Sequence, residues 1–547
     1  MAKEVKTGAL MAHVLKQEGV KYIFGLPGGH IYPTMEEAEK LGIKFIGTRD
    51  EAAAAYAAEG WALATGDLGV CAGTAGPGVT NLFTGMANAW MGRYPIFYIG
   101  GKARVTEYDR NELQDFDQIS IIQTMTKHAR TVYEPKRVPE YTARAISHAI
   151  NGTPGPAYIE IPRDITDSMV DFDEVHFAEN HRAKNRVKAE DSVIAEAVAL
   201  IKEAKKPLIV AGSGVFWSHA QDELTALVNK TGIPVFTRNA ARGCYDERSP
   251  LYVSYKAKGP ILEQSDLIII VGTRAGYTFS QKMVRPDQKV IRIDIDPVEA
   301  TNQWDAALTI VGDAKAVLAQ LVEAVPEGSY PEWAAMPKIV DAKVIEMFDQ
   351  LCPDPKAYPI NPIAFYKELM QEIDDDTIVV IDGGDSATWS YTFLPSYGPG
   401  QMMGIAGNAF GPLGVGMGYA MAAKLAHPDK KVLLVTGDGA FGYGIAEYDT
   451  CMRYGINITA VIFNDGLWGM IKRSEQRKAP GETNFVGLDL EQNTHYEKVV
   501  EGFGGYGELV TNIDDLRPAI QRAVASGKPG CVNVMVNPAI GPKGAGC

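Results

Sequence analysis

Two acidic turns separated by 27 residues have the composition needed to hold a cation against a phosphate. Gly437-Asp438-Gly439 follows the apolar run Val432–Val435, and Asn464-Asp465-Gly466 follows the apolar run Ile458–Phe463. Strand, helical segment and strand at this separation read as one βαβ unit with parallel strands. Neighbouring strands place Asp438 and Asp465 about 4.8 Å apart, on the edge of an open α/β sheet where ligands bind. Gly437 and Gly439 permit a tight turn and close backbone approach. The helix after Ala440 directs N–H groups and its positive end to the same place. Two oxygen side chains there suit a hard cation such as Mg²⁺ bridging phosphate oxygens. For either turn alone, an aspartate that merely caps a helix is an equal account; the pair on adjoining strands favours the cation.

Such turns need a sheet to present them, and the chain repeats that pattern three times. The expected fold is α/β, with three doubly wound parallel-sheet domains at 1–165, 190–325 and 361–547. In the first, strands are expected at Tyr22–Phe24, Lys44–Gly47, Gly69–Gly73, Pro95–Ile99 and Ala157–Ile161, with an Ala-rich helix over Glu51–Ala64. The second has strands at Leu208–Ala211, Leu267–Val271 and Val290–Ile295, and the third opens its sheet with Thr377–Ile381. Thr166–Lys188 and Pro326–Ile360 read as linkers, and the Gly/Pro-rich tail after Asn537 as a mobile segment able to close over a site.

Three further side chains sit where helices or glycine turns begin. Glu51 opens the Ala-rich helix, where the dipole alone would account for an acidic residue. His30 ends Pro27-Gly28-Gly29-His30 and has the chemistry of a general acid or base; an exposed loop histidine is an equal account. Gln114, in Asn111-Glu112-Leu113-Gln114, has an amide able to orient an oxygen; a surface amide is the simpler account.

Composition narrows the class. Hydrophobic content of 46% and charged content of 22% suit a soluble globular protein, and a net charge of −14 argues against nucleic acid or an anionic membrane as partner. The six cysteines include no CxxC pair and the nine histidines no HExxH, so neither a disulfide framework nor a zinc site is expected. The start carries no secretory apolar segment and no run approaches the length of a membrane span, so the expected location is cytoplasmic.

GDG followed by the Asn-Asp turn resembles the thiamine-diphosphate motif of the acetolactate synthase and pyruvate decarboxylase superfamily, and the resemblance extends over nearly the whole chain. It implies thiamine diphosphate and Mg²⁺ as cofactors, with the metal held by Asp438, Asp465 and the carbonyl of Leu467. Asp465 stands where Asn is usual and brings an extra negative charge, with Asn464 as the alternative ligand. The resemblance also implies cofactor contacts at Gly29, Gly76, Gly383, Gly384, Asp385, Gly411, Gly437, Gly439, Ala440, Trp468, Gly469 and Met470, and Leu413 beneath the bent cofactor. Glu51 would hydrogen-bond N1′ of the aminopyrimidine, and the first and third domains would be the pyrimidine- and diphosphate-binding domains. In such enzymes the cofactor lies between the former of one subunit and the latter of another, which implies a homodimer or homotetramer. The central domain can carry FAD or the ADP part of coenzyme A in relatives; without a GxGxxG loop here FAD is disfavoured, and a structural domain is the simpler reading.

His30 and Gln114 look like the pocket pair of benzaldehyde lyase. The run Tyr496–Gly505 and the tail resemble 2-hydroxyacyl-CoA lyase and oxalyl-CoA decarboxylase. The His-His pair of pyruvate decarboxylase is absent, and Ile471 and Ser474 stand where decarboxylases and acetolactate synthases carry Glu and Trp. A carbon–carbon lyase that also runs as a carboligase on 2-hydroxy ketones, aldehydes or 2-hydroxyacyl-CoA thioesters is therefore expected. An acetolactate-synthase-type transferase, an oxalyl-CoA-type decarboxylase, a flavin-dependent oxidase and a catalytically silent regulatory protein are the alternatives.

Overall fold

The computed structural model describes residues 4–274, 285–302, 305–404 and 409–542. Its strands, in chain order, are β1 Glu4–Lys6, β2 Tyr22–Gly25, β3 Lys44–Gly47, β4 Gly69–Gly73, β5 Ile96–Lys102, β6 His128–Thr131, β7 Ala157–Pro162 and β8 Met169–Asp171. The central part adds β9 Pro207–Ala211, β10 Val235–Thr237, β11 Leu267–Val271, β12 Lys289–Asp294 and β13 Leu308–Val311. The last part adds β14 Thr377–Asp382, β15 Met402–Gly404, β16 Lys431–Gly437, β17 Thr459–Asn464, β18 Tyr506–Val510 and β19 Gly530–Met535. They form parallel sheets ordered β3-β2-β4-β5-β7-β6, β10-β9-β11-β12-β13 and β15-β14-β16-β17-β19-β18, with β1 and β8 as a separate antiparallel pair. Three parallel α/β sheets are thus the architecture. β4, β5 and β7 are buried along their whole length, as expected of parallel strands covered by helices on both faces.

The chain forms two compact units. One comprises Met1–Lys184, Phe410–Pro428 and Gly444–Ile456; the other comprises Asn185–Ala409, Asp429–Tyr443 and Asn457–Cys547. In the first unit the helix Glu51–Thr65 packs against Gly416–Ala426, a helix that lies far away in sequence. Small residues on both make the approach possible. A Cβ on Gly60 would sit 2.6 Å from Cα of Tyr419, and one on Gly418 would sit 2.7 Å from Cβ of Tyr56. The Ala-rich composition of the first helix therefore serves close packing as well as helix propensity. Between them Glu59, fully buried, accepts hydrogen bonds from Asn88 (2.5 Å) and Tyr419 (2.8 Å), and burial pushes its carboxyl up to about 8.

Two stretches expected to be irregular are not. Pro331–Gln350 is a 20-residue helix that buries Trp333, Pro337 and Phe348. Its apolar spacing is interrupted by Pro337, which hid a helix that tertiary contacts sustain. Within Thr166–Lys188, β8 pairs with β1, near the chain's start. Both are too short for a period to be read from sequence. Among the described residues, no helix is long and apolar enough to cross a membrane.

Candidate active site

Each sheet has one place where the strand order reverses, and loops leaving the two strands there splay apart to leave a crevice. In the first sheet that place lies between β2 and β4, and it gathers the loop Gly25–His30 with the loop Thr74–Gly78. His30 is buried, and its Nδ1 lies 3.0 Å from Thr74 Oγ1 across the switch point. Burial, and then the nearby Arg163 guanidinium, hold its pKa below the usual histidine value, so the ring is neutral and able to accept a proton near neutral pH. Gly29 presents its backbone to Arg163, whose Cζ would lie 3.8 Å from a Cβ there.

Gly76 takes φ +61°, and Gln114, itself at φ +64°, packs its backbone against it, with Cα 3.1 Å from where a Gly76 Cβ would be. The buried Gln118 pins this turn. Its Oε1 accepts from Gly76 N at 3.2 Å, while Nε2 donates to Gly101 O, Tyr158 Oη and Glu160 Oε2. Glu51 lies at the start of its helix, buried, after Asp50 caps the helix by accepting from Ala52 N; Asn81 Nδ2 donates to Glu51 Oε2 at 3.0 Å. Glu51, His30, Gly76 and Gln114 thus lie on loops and helix starts at the carboxyl edge of one sheet, joined through Thr74, Gly78 and Gln118. Gly411, at φ +64°, and the half-buried Leu413 precede the helix Gly416–Ala426 in the same unit.

In the third sheet the order reverses between β14 and β16. The expected adjacency holds: β16 and β17 are parallel neighbours with Gly437 opposite Phe463, so Asp438 and Asp465 each follow the end of their strands. Both are buried, and Gly466 N donates to Asp438 Oδ2 at 3.0 Å. The helix that follows starts at Asp438 itself and runs only to Gly444, a second helix beginning at Glu447. It opens three residues before the expected start after Ala440, because the Asp438 and Gly439 backbone already turns helically.

The loop after β14 comes to the same edge. Gly383 takes φ +104°, and a Cβ on it would lie 3.2 Å from Gly437 N; one on Gly384 would lie 3.1 Å from Met470 Cβ. Asp385 starts the next helix. Trp468 covers Gly439, its ring 2.7 Å from where a Cβ would be, and a Gly469 Cβ would lie 2.9 Å from Asp385 Oδ2 and 3.0 Å from Asp465 Oδ2. The buried Leu467 leads from the Asp465 turn into this segment, and Ala440 is buried, its Cβ 3.7 Å from where a Gly383 Cβ would be. Asn464 instead turns to the neighbouring strand, donating to Asn533 Oδ1 at 3.1 Å.

The electrostatics of this edge depend on a residue that sequence reading missed. Arg473 donates through Nη1 to Asp385 and through Nη2 to Asp465 at 3.1 Å, and Nη2 also reaches Pro538 O at 2.8 Å. Arg473 Nη2 also donates to Ile540 O at 3.4 Å, so the guanidinium bonds two carbonyls in the first part of the tail after Asn537. Residues 543–547 lie outside the described chain. The available signal was chemical: an Asp where Asn is usual needs a positive partner, and an Arg follows eight residues later. Burial, and then the Asp465 charge, push Asp438 up to about 7; burial pushes Asp465 up to about 6 against the pull of Arg473. Two buried carboxylates in this state favour a bound cation. Arg473 Nε is buried without a hydrogen-bond partner, with the Gly541 backbone packed against it. These groups fit a magnesium diphosphate. Among the described residues no cluster of three or more His, Cys, Asp or Glu is placed to hold a metal, so a cation here would rely on two carboxylates, backbone carbonyl and non-protein oxygens.

The central sheet reverses between β9 and β11, where Gly214 packs on Gly272, Cα 2.7 Å from a Gly214 Cβ; most of the loop after β11, residues 275–284, lies outside the described residues.

Comparison with known proteins matches three segments of the chain. Residues 5–121 match the thiamine pyrophosphate enzyme N-terminal TPP binding domain, 194–321 the central domain and 382–534 the C-terminal TPP binding domain. The acetolactate synthase large subunit IlvG of Mycobacterium tuberculosis is 33% identical, covering 98% of this chain and 97% of its own. The 2-hydroxyacyl-CoA lyase 2 of Danio rerio is 31% identical over 97% of this chain and 91% of its own. Human 2-hydroxyacyl-CoA lyase 1 is 29% identical over 98% and 95%. With all three domains of the family matched, and relatives of 33% and 31% identity covering nearly the whole chain, this protein belongs to the thiamine pyrophosphate enzyme family.

Proposed function

We propose that the chain is a Mg²⁺-dependent carbon–carbon lyase and carboligase that acts on 2-hydroxy ketones, aldehydes or 2-hydroxyacyl-CoA thioesters. The observation that carries this reading is the buried, neutral His30 held by Thr74 at the first switch point, on the edge that also carries Gln114. When bound, thiamine diphosphate supplies a carbon nucleophile and an electron sink at thiazolium C2. Asp438, Asp465 and the Leu467 carbonyl would hold Mg²⁺, and the glycine turns at 383–384 and 437–439 would receive the diphosphate. Glu51, whose Oε2 accepts from Asn81, would hold the proton at N1′. His30 takes the hydroxyl proton as the substrate's carbon–carbon bond breaks and returns it to the product side, and Gln114 orients the oxygen. Complete sites form between subunits of a homodimer or homotetramer. A thioester substrate would place its ADP portion on the central domain.

A second reading, acetolactate synthesis from pyruvate, is favoured by the similarity to the mycobacterial synthase subunit. A panel of pyruvate, aromatic 2-hydroxy ketones, formaldehyde and 2-hydroxyacyl-CoA thioesters, with both cofactors supplied and products identified by mass, separates the two. Aldehyde release from a 2-hydroxy substrate is expected. Acetolactate from pyruvate with no such cleavage would replace the lyase reading.

A further inference from the structure

On the edge of the first sheet, β6 and the helix Val138–Ile150 border a cavity of about 340 Å³. Its ionisable lining is wholly basic: Lys127, His128, Arg130, Arg144 and His148, with no Asp or Glu, in a chain of net charge −14. β6 is separated from the β2/β4 switch point by β5 and β7, so this is a different place from the candidate active site. The His128 and His148 rings stack with centroids 4.6 Å apart and planes 9° from parallel. His128 is more than nine-tenths buried, and its buried Nε2 has no hydrogen-bond partner. Lys127 gives its Nζ to the carbonyls of Asn151 and Thr153, and so adds charge rather than a free donor. Arg130 bonds Ala129 O through Nη1, and Arg144 bonds Glu140 through Nη2 at 3.1 Å; each guanidinium carries five donors, so others remain.

Glu140 offsets Arg144, and gathering Lys127 and Arg130 beside that pair leaves an excess of positive charge in the cavity. Burial holds the His128 pKa down to about 4, with the charges of His148, Arg130 and Arg144 pushing the same way. Burial and the Arg93 charge bring Lys127 down to about 8. An oxyanion would reverse these effects, and the forked donors of two arginines suit the several oxygens of a phosphate.

We infer that this cavity is a phosphate site, binding the group free or as part of a small molecule, with Arg130, Arg144 and His128 Nε2 as donors. It is independent of the proposed reaction. The test is calorimetric titration of the holoenzyme, loaded with thiamine diphosphate and Mg²⁺ so that the diphosphate site is filled. Inorganic phosphate and adenosine monophosphate are the probes, at constant ionic strength set with chloride. Saturable binding of at least one probe is expected, weakened about tenfold or more in R130Q/R144Q. The tighter probe identifies whether the source is the free ion or a phosphate ester. Both arginines are exposed, so the variant should fold. The pair R285Q/K289Q, on the central domain, is a charge-matched control that should bind normally. No saturable binding, undiminished binding in R130Q/R144Q, or equal weakening in the control would overturn the assignment.

Discussion

Arg473 balances the charge that Asp465 adds to the diphosphate side, and R473Q measures how much that balance contributes. At the 3.1 Å separation of Nη2 from Asp465 Oδ2, an effective dielectric of 20 gives about 5 kcal/mol of attraction. Removing one partner from a buried pair typically costs about 3–5 kcal/mol. The same guanidinium also serves Asp385, and its side chain is only 12% exposed, so little solvent is present to replace it. Protonation of Asp465, already raised by burial, limits the loss, and we expect R473Q to lower stability by about 3 kcal/mol. R473Q/D465N leaves only Asp385 unpaired and should recover about half of that. Urea denaturation of the cofactor-free protein reads the stability arm. Quenching of tryptophan fluorescence, with Trp468 beside Gly439, reads thiamine diphosphate affinity at saturating Mg²⁺. There R473Q should weaken binding about ten- to hundredfold, and the double variant should regain most of it. Effects of R473Q and D465N that simply add, within about 0.5 kcal/mol in both assays, would refute charge compensation.

E51Q, which keeps the Asn81 contact but cannot share a proton, should reduce turnover by about 10²–10⁴ while leaving the circular dichroism spectrum unchanged; full activity would exclude Glu51 from the chemistry. Chelation of divalent ions should release thiamine diphosphate, detected by its absorbance after rapid gel filtration, and Mg²⁺ should restore retention; a complex that survives exhaustive chelation contradicts the metal site. Glu59 has a folded-state pKa of about 8, raised from the ordinary carboxylate value by burial. Its contribution is complete at pH values below the unfolded-state pKa and is lost as pH rises through about 8. Denaturation midpoints should therefore fall between about pH 5 and 9, and E59Q should flatten that part of the profile; an unchanged slope assigns it to other groups. G418A puts a methyl against Tyr56 and the Ala53 carbonyl, 2.7 and 2.8 Å away, and should destabilise the first unit by about 1–3 kcal/mol; a neutral outcome by differential scanning calorimetry would show that the helix pair can separate freely.

By itself the sequence determined the three parallel sheets, the GDG and Asn-Asp turns at two strand ends, and Glu51 at a helix start. Strand runs and glycine turns are local signals that register against neighbours cannot erase. β6, β10, β13, β15, β18 and β19 were not expected; several are edge strands or are only three to five residues long, and their pairing is supplied by partners distant in the chain. Only the tertiary structure decided that Gly416–Ala426 packs on Glu51–Thr65, since the fit of Gly418 to Tyr56 depends on two helices separated by hundreds of residues. It alone placed Arg473 between Asp385 and Asp465, and it alone gathered Arg130, Arg144 and His128 around one cavity. Charge pairing across strands is a matter of distance in space, and residue spacing along a chain carries that information only when both partners share one element.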